Sequence, residues 1–299
     1  IVVGMSMIYA AARGGHVREL GYSEQSRSYA TGDLCLRAAH LFDGAKINDL
    51  SWCKAPWPIA WVISGGGRLL GLTYVPEQQV GAWHQHTTQG AFESVCTVTE
   101  GEVEAVYVSV RRTIGGVTKR FIERFEQRID NSAADAYFVD CGAVYSGAPT
   151  NTISGLDWLN GAVVSILADG VAHPIRTVAG GSITLDGNYS KVAVGLSYTP
   201  SIKTAPAATQ AEAAFGQGRP KNVTRMFVDV ARTWGGWIGP NSSMLSPLMT
   251  PGQDRTDIEG EQRIVPIGEW TRDGSFMIQQ KEPLPMTIVS LTAEITLGG

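Results

Sequence analysis

The chain has 299 residues and a formal net charge of −4, from Lys+Arg 24 against Asp+Glu 28. That length favours about two domains, and the absence of a basic excess argues against a nucleic-acid or membrane surface. Charged residues make up only 17% and glycines number 35, against ordinary shares of about 25% and about 7%, so the chain turns often and has surface suited to being covered by a partner.

The start, IVVGMSMIYAAARGG, has neither the basic nor the long apolar region of a signal peptide, and no run approaches the ~18 apolar residues of a membrane span. Ile1 lies inside what reads as a strand, and the expectation is that an N-terminal part of the protein precedes this chain. Cys35, Cys53, Cys96 and Cys141 form no CxxC pair; they signal neither a zinc module nor a disulfide framework and read as buried thiols in a reducing compartment.

Along the chain one unit recurs: a β-branched and aromatic run, a glycine pair, then a second run. The copies are MIYAAARGGHVREL (7–20), IAWVISGGGRLLGLTY (59–74) and VYVSVRRTIGGVTKRFIERF (106–125), with Gly15, Gly66 and Gly116 spaced by 51 and 50. MFVDVARTWGGWI (226–238) is a fourth and EWTRDGSFMIQQ (269–280) a weaker fifth. VGAWHQHTTQGAFESVCTV (80–98) supplies two further strands. Such a period matches β-propeller blades, with a β-sandwich carrying several hairpins as the alternative; the near-equal spacing favours blades.

Between 137 and 204, strands at 161–168 and 171–178 flank Asp169-Gly170, and strands at 182–186 and 190–197 flank Asp186-Gly187. This segment reads as a small β-barrel inserted between blades. A helix-like stretch from Ala207 to Phe215, closed by Gly216 and Gly218, reads as the link back. The predicted fold is therefore all-β with little helix: propeller-like blades over 1–136, the inserted barrel over 137–204, and the linker helix with returning blades over 205–299. The polar segments 205–222 and 243–261 are candidate contact loops.

His84 and His86, at i and i+2 on a predicted strand, share a face, yet no Cys or carboxylate stands at ligand spacing, so they read as packing or interface residues. His16, His40 and His173 are isolated. Asp33, Asp43, Asp49, Glu77 and Glu93 offer carboxylates for glycoside hydrolysis but sit in no acid/base motif. GxSxG, HExxH, P-loop and strand-linked GxGxxG motifs are absent, and Gly65-Gly66-Gly67 lies between strands as a turn. No catalytic, metal or cofactor residue is assigned.

Arg111, Arg112, Lys119, Arg120 and Arg124 form a basic cluster on one hairpin, near Tyr107, Phe121 and Phe125 and diluted by Glu123 and Glu126. A solvated or subunit-pairing edge is favoured over a nucleic-acid site. Trp52, Trp57, Trp61 and Trp83 cluster within 32 residues, and Trp234 and Trp237 share one turn; packing between blades is the favoured role, an aromatic carbohydrate platform the other.

WCKAPWPIAWVISGGGRLLGLTYVPEQQVGAWHQHTTQGAFESVCTV (52–98) and the run that follows it resemble the tail nozzle proteins of short-tailed bacteriophages, also called tail tubular protein B. So do VDCGAVYSGAPTNTISGLDWLNGAVVSILADG (139–170), QGRPKNVTRMFVDV (217–230) and KEPLPMTIVSL (281–291). The resemblance spans about residues 5 to 295 and departs at the front, where the family has a substantial N-terminal region. It implies a structural, non-enzymatic virion protein of the tail, made in the host cytoplasm: a homo-hexameric tube below an adaptor ring, with fibres or spikes at its flank and phage DNA passing through its lumen without sequence recognition, no membrane span and no cofactor. A soluble β-propeller binding module and a tail-borne polysaccharide depolymerase are the competing classes.

Overall fold

The recurring apolar runs form antiparallel strands, and the glycines mark where they reverse. The computed structural model describes residues 1–12, 16–127, 132–207, 210–211, 214–215, 218–248 and 261–298. Among them there are strands and short 3₁₀ turns but no α-helix, and no helix long and apolar enough to cross a membrane. The chain divides into two compact units, 1–127 and 128–299.

In the first unit, β1 (Val2–Val3), β2 (Ser6–Ala10), β3 (Val17–Ser23) and β4 (Ser28–Asp33) form a four-stranded meander. A second meander follows from β5 (Ile47–Cys53), β6 (Ile59–Ser64), β7 (Leu69–Val75) and β8 (Val80–His86), and a third sheet from β9 (Ala91–Glu100), β10 (Val103–Ile114) and β11 (Val117–Arg124), in the order β11-β10-β9. Sheets of consecutive antiparallel strands are the local layout of propeller blades.

The second sheet lies between the other two. Every residue of β6 is buried, because alternate side chains enter opposite cores. Ala60 and Val62, with Leu70 and Leu72 of β7, pack against Ile8 and Val17 of the first sheet. Ile59, Trp61 and Ile63 pack against Val106, Val108 and Val110 of the third. A strand covered on both faces reads as a continuous apolar run, which explains why IAWVIS lacks alternation. Polar stitches join β5 to β9: Asp49 Oδ2 accepts from the Val95 N–H at 2.9 Å, and the Thr97 hydroxyl donates to the Trp52 carbonyl at 2.8 Å.

Two of the predicted hairpins are present in full in this unit, β6–β7 and β10–β11. Ile114 pairs with Val117 across Gly115-Gly116, whose φ of +57° and +80° fit a two-residue turn. In the first copy β2 pairs with β3, but Gly15 lies outside the described residues.

The second unit departs further from expectation. β12 (Asp140–Ile153), β13 (Val163–Ala168), β14 (Val171–Thr177) and β15 (Ile183–Leu196) form a sheet ordered β12-β15-β13-β14. The Asp169-Gly170 turn joins β13 to β14 as predicted, with Ala168 paired to Val171. This sheet is open rather than a closed barrel, because Asp186-Gly187 does not reverse the chain. β15 runs through it, and Leu185–Asn188 bulge opposite Asn151, between the pairs Thr152–Thr184 and Thr150–Tyr189. Gly187 has no positive φ, so the predicted turn geometry is never adopted.

Next come β16 (Ser201–Lys203), β17 (Gln210–Ala211) and β18 (Ala214–Phe215). The described part of the predicted 207–215 helix is thus a pair of short antiparallel strands; about nine residues are too few for a helix to hold in water without packing.

The final strands are β19 (Lys221–Ala231), β20 (Trp237–Gly239), β21 (Ser246–Pro247), β22 (Glu261–Thr271), β23 (Met277–Gln279) and β24 (Thr287–Leu297). They make two sheets, β22-β19-β24 and β16-β23-β20-β21, enclosing Met226, Val228, Val230, Ile238, Phe276 and Ile278. The 243–261 loop contributes β21, while 249–260 lie outside the described residues.

The fourth and fifth predicted hairpins are corners between these sheets. β19 already has β22 and β24 as neighbours, so the strand after Gly235-Gly236 crosses to the other sheet instead of folding back. The two segments 221–239 and 261–279 share one layout: an eleven-residue strand, a corner, and a three-residue strand. They pair about a local two-fold, with Ile238 opposite Ile278, Arg225 opposite Pro266 and Met226 opposite Val265.

Trp234 in the first corner is buried with Ala136, Leu167, Ala193 and Leu284. Leu167 and Ala193 join the corner to the β12–β15 sheet, and the Trp234 carbonyl accepts from Gln280 Nε2, just after β23, at 2.7 Å. Replacing Trp234 by Ala is expected to lower unfolding stability by about 3–5 kcal/mol, read from chemical denaturation; a loss below about 1 kcal/mol would show that the corner is not an anchor.

Candidate functional site

The densest group of chemically versatile side chains is built on three neighbouring strands. Trp61 on β6 pairs with Gly71 on β7, and Gly71 with His84 on β8. The missing Gly71 side chain makes room for an imidazole: a Cβ there would lie 2.4 Å from His84 ring atoms. His84 therefore lies over the backbone of β7 with its ring 5.7 Å from Trp61. His86 shares that face, 5.0 Å from His84 and 5.1 Å from Trp61, and Phe125, just after β11, closes the group at 5.6 Å from Trp61.

The Nε2 atoms of both histidines are shielded from solvent, as is Trp61 Nε1, which has no hydrogen-bond partner among the described residues. Trp83, immediately before His84 in sequence, points to the opposite core. There it meets Phe42 at 4.7 Å and donates to the Leu34 carbonyl at 2.8 Å. AWHQH is thus an aromatic wedge serving both faces of one sheet. Among the described residues no group of three or more His, Cys, Asp or Glu is arranged to hold a metal ion.

The basic cluster divides into two kinds of arginine. Arg112 has the strand parity of Val106, Val108 and Val110, and like them points inward; its side chain is wholly buried. Glu123 meets it with two parallel hydrogen bonds at 2.7 and 2.6 Å, the strongest geometry for this pair. The guanidinium also donates to the Thr88 hydroxyl and the Gln89 carbonyl, fixing the β8–β9 connection. Arg111, Arg120 and Arg124 point outward and are paired with Glu93, Glu100 and Glu126. Phe121 and Lys119 stand on the inward-facing register, opposite Val110 and Arg112.

The candidate hydrolytic carboxylates are dispersed into structural duties. Asp33 accepts from the Cys35 N–H at 2.8 Å and lies 2.9 Å from His16 Nδ1, whose hydrogen bond holds the Asp33 carboxyl below its ordinary range. Asp43 sits 3.9 Å from the other nitrogen of His16. Asp49 stitches β5 to β9, Glu93 bridges two arginines, and Glu77 lies in the 3₁₀ turn Pro76–Gln78. His173 is nearly buried beside Asp186, and His40 lies within the 3₁₀ turn Ala39–Leu41.

The tryptophans are likewise spread through the cores. Trp61 and Trp234 are buried, Trp52 and Trp83 pack on the core between the first two sheets, and Trp57 is half exposed. Trp237 lies under Lys281 Nζ at 5.5 Å. No exposed row suited to a sugar chain results from the 52–83 cluster. Of the cysteines, Cys35 and Cys53 are buried, and burial pushes the Cys35 thiol up to about 11. Cys96 is exposed on β9, contrary to the expectation of buried thiols, because its strand neighbour Val95 takes the inward position.

Compared with known protein families and curated proteins, the chain matches none.

Four substitutions test this assignment of roles. Gly71→Ala is expected to cost about 1–3 kcal/mol through the clash with His84, and His84→Ala in the same chain should recover most of that loss in a urea titration. Glu123→Gln leaves the Arg112 charge buried without its counter-charge and is expected to cost about 3–5 kcal/mol. Glu126→Gln, on an exposed pair, should leave the denaturation midpoint unchanged.

Proposed function

We propose that this chain is a structural, non-enzymatic subunit of the tail nozzle of a short-tailed bacteriophage. In this reading six copies form a tube beneath an adaptor ring, fibres or spikes attach at its flank, and the genome is retained in and then ejected through the bore. A closed ring requires each subunit to use two different surfaces in a head-to-tail contact. The protein is made in the host cytoplasm and resides in the virion tail.

One observation carries the proposal. The block 52–98, which holds AWHQHTT, one of the two stretches most specific to the resemblance, supplies most of the central sheet and its wedge: Trp61, Gly71, Trp83, His84 and His86 pack sheet against sheet. Residues committed to rigidity suit a load-bearing wall better than a turnover site. The paired arginines agree with it, since a free basic surface would hold DNA through counterion release and slow its passage.

Electron microscopy of purified virions labelled with an antibody to this chain tests the proposal directly. The expected result is label on a six-fold tube at the distal tail. Virions free of the protein, with the chain monomeric in the lysate, would overturn it.

A further inference from the structure

The outward face of the third sheet carries an ordered ladder of charge. Val106, Val108 and Val110 of β10 are buried, so Tyr107, Ser109, Arg111 and Thr113 face away from the core. On β11 the same face bears Arg120, Ile122 and Arg124, because Arg120 is the cross-strand partner of Arg111 and Arg124 that of Tyr107.

Like charges directly opposite one another on neighbouring strands repel, and Glu93 on β9 answers both members of the Arg111–Arg120 pair. One of its oxygens lies 3.3 Å from Arg111 Nε, and the other accepts from Arg120 Nε at 2.6 Å. Glu100 accepts from Arg124 at 3.0 Å and from the Tyr107 hydroxyl, and Glu126 lies 3.5 Å from Arg124. Pairing does not remove the arginines from water: the side chains of Arg111 and Arg120 are 54% and 69% exposed. The hydrogen bond from Arg120 holds the Glu93 carboxyl below its ordinary range, and those from Tyr107 and Arg124 do the same for Glu100, so both remain charged at neutral pH.

We infer that this face is a surface for double-stranded DNA whose grip is suppressed by Glu93 and Glu100. A guanidinium already paired to a carboxylate exchanges one anion for another when a phosphate arrives, and little is gained. Without Glu93 and Glu100, Arg111 and Arg120 would each neutralise phosphate charge and release counterions, and Arg124 would keep only its longer contact with Glu126. The inference rests on the nozzle reading for the identity of the polyanion; the ladder itself is independent of it. The buried Arg112–Glu123 pair takes no part.

The test titrates the purified full chain with a short fluorescent DNA duplex. E93Q/E100Q is expected to bind at least about ten-fold more tightly than wild type at about 50 mM salt, with log K falling more steeply with log salt by about two to three units. Adding R111Q, R120Q and R124Q should abolish the gain. A variant of unchanged circular dichroism that binds no more tightly than wild type overturns the inference. E93Q alone frees the facing arginine pair and carries the same expectation, with a smaller gain, should the double variant fail to fold. Gained duplex binding with the chain absent from virion tails overturns the nozzle reading alone. No gain with the chain present in tails overturns this inference alone.

Discussion

Burial of the second sheet on both faces is the constraint that organises the first unit. A sheet that is apolar on both sides cannot stand at a surface, so β6 requires a covering sheet on each side. From that requirement follow the two separate cores, the stitches from β5 to β9, and the division of labour in AWHQH. Trp83 serves one core while His84 and His86 serve the other. Gly71 belongs to the same logic: its value lies in the ring that occupies its space rather than in any turn.

The second unit solves its packing by self-pairing. Segments 221–239 and 261–279 run through one sheet, turn a corner and pair again in the other, so each completes what its counterpart leaves open. The glycines at the first corner serve close approach as well as φ. A Cβ on Gly236 would lie 2.9 Å from Leu248 Cδ1 and Met286 Sδ. Trp234, in the same corner, is the link to the β12–β15 sheet.

Electrostatics in the first unit separates by strand parity. The inward arginine is held by a bidentate carboxylate in a dry position, where loss of one partner leaves a buried charge. The outward arginines are held by exposed carboxylates in water, where such pairs contribute little to stability and instead set what the surface presents to a charged partner. One five-residue basic motif therefore contains two different physical situations.

Strand existence, the hairpins at 59–74 and 106–125, the shared face of His84 and His86, and the all-β class were legible, because alternation and two-residue glycine turns are local properties of the chain. The inward position of Arg112 was legible in principle from the parity of Val106, Val108 and Val110. The partners were not: Glu93, Glu100 and Glu123 reach their arginines across strands, and His84 occupies the space over Gly71 through a cross-strand register. The local signal also misled where neighbours decided. Gly235-Gly236 became a corner because β19 already had two partners, and Asp186-Gly187 became part of a bulge because β15 continued to pair with β12 beyond it. Local chain chemistry sets where this chain can turn and which residues alternate, whereas long-range packing settles which strand lies beside which, since register and sheet membership depend on residues far apart in the chain.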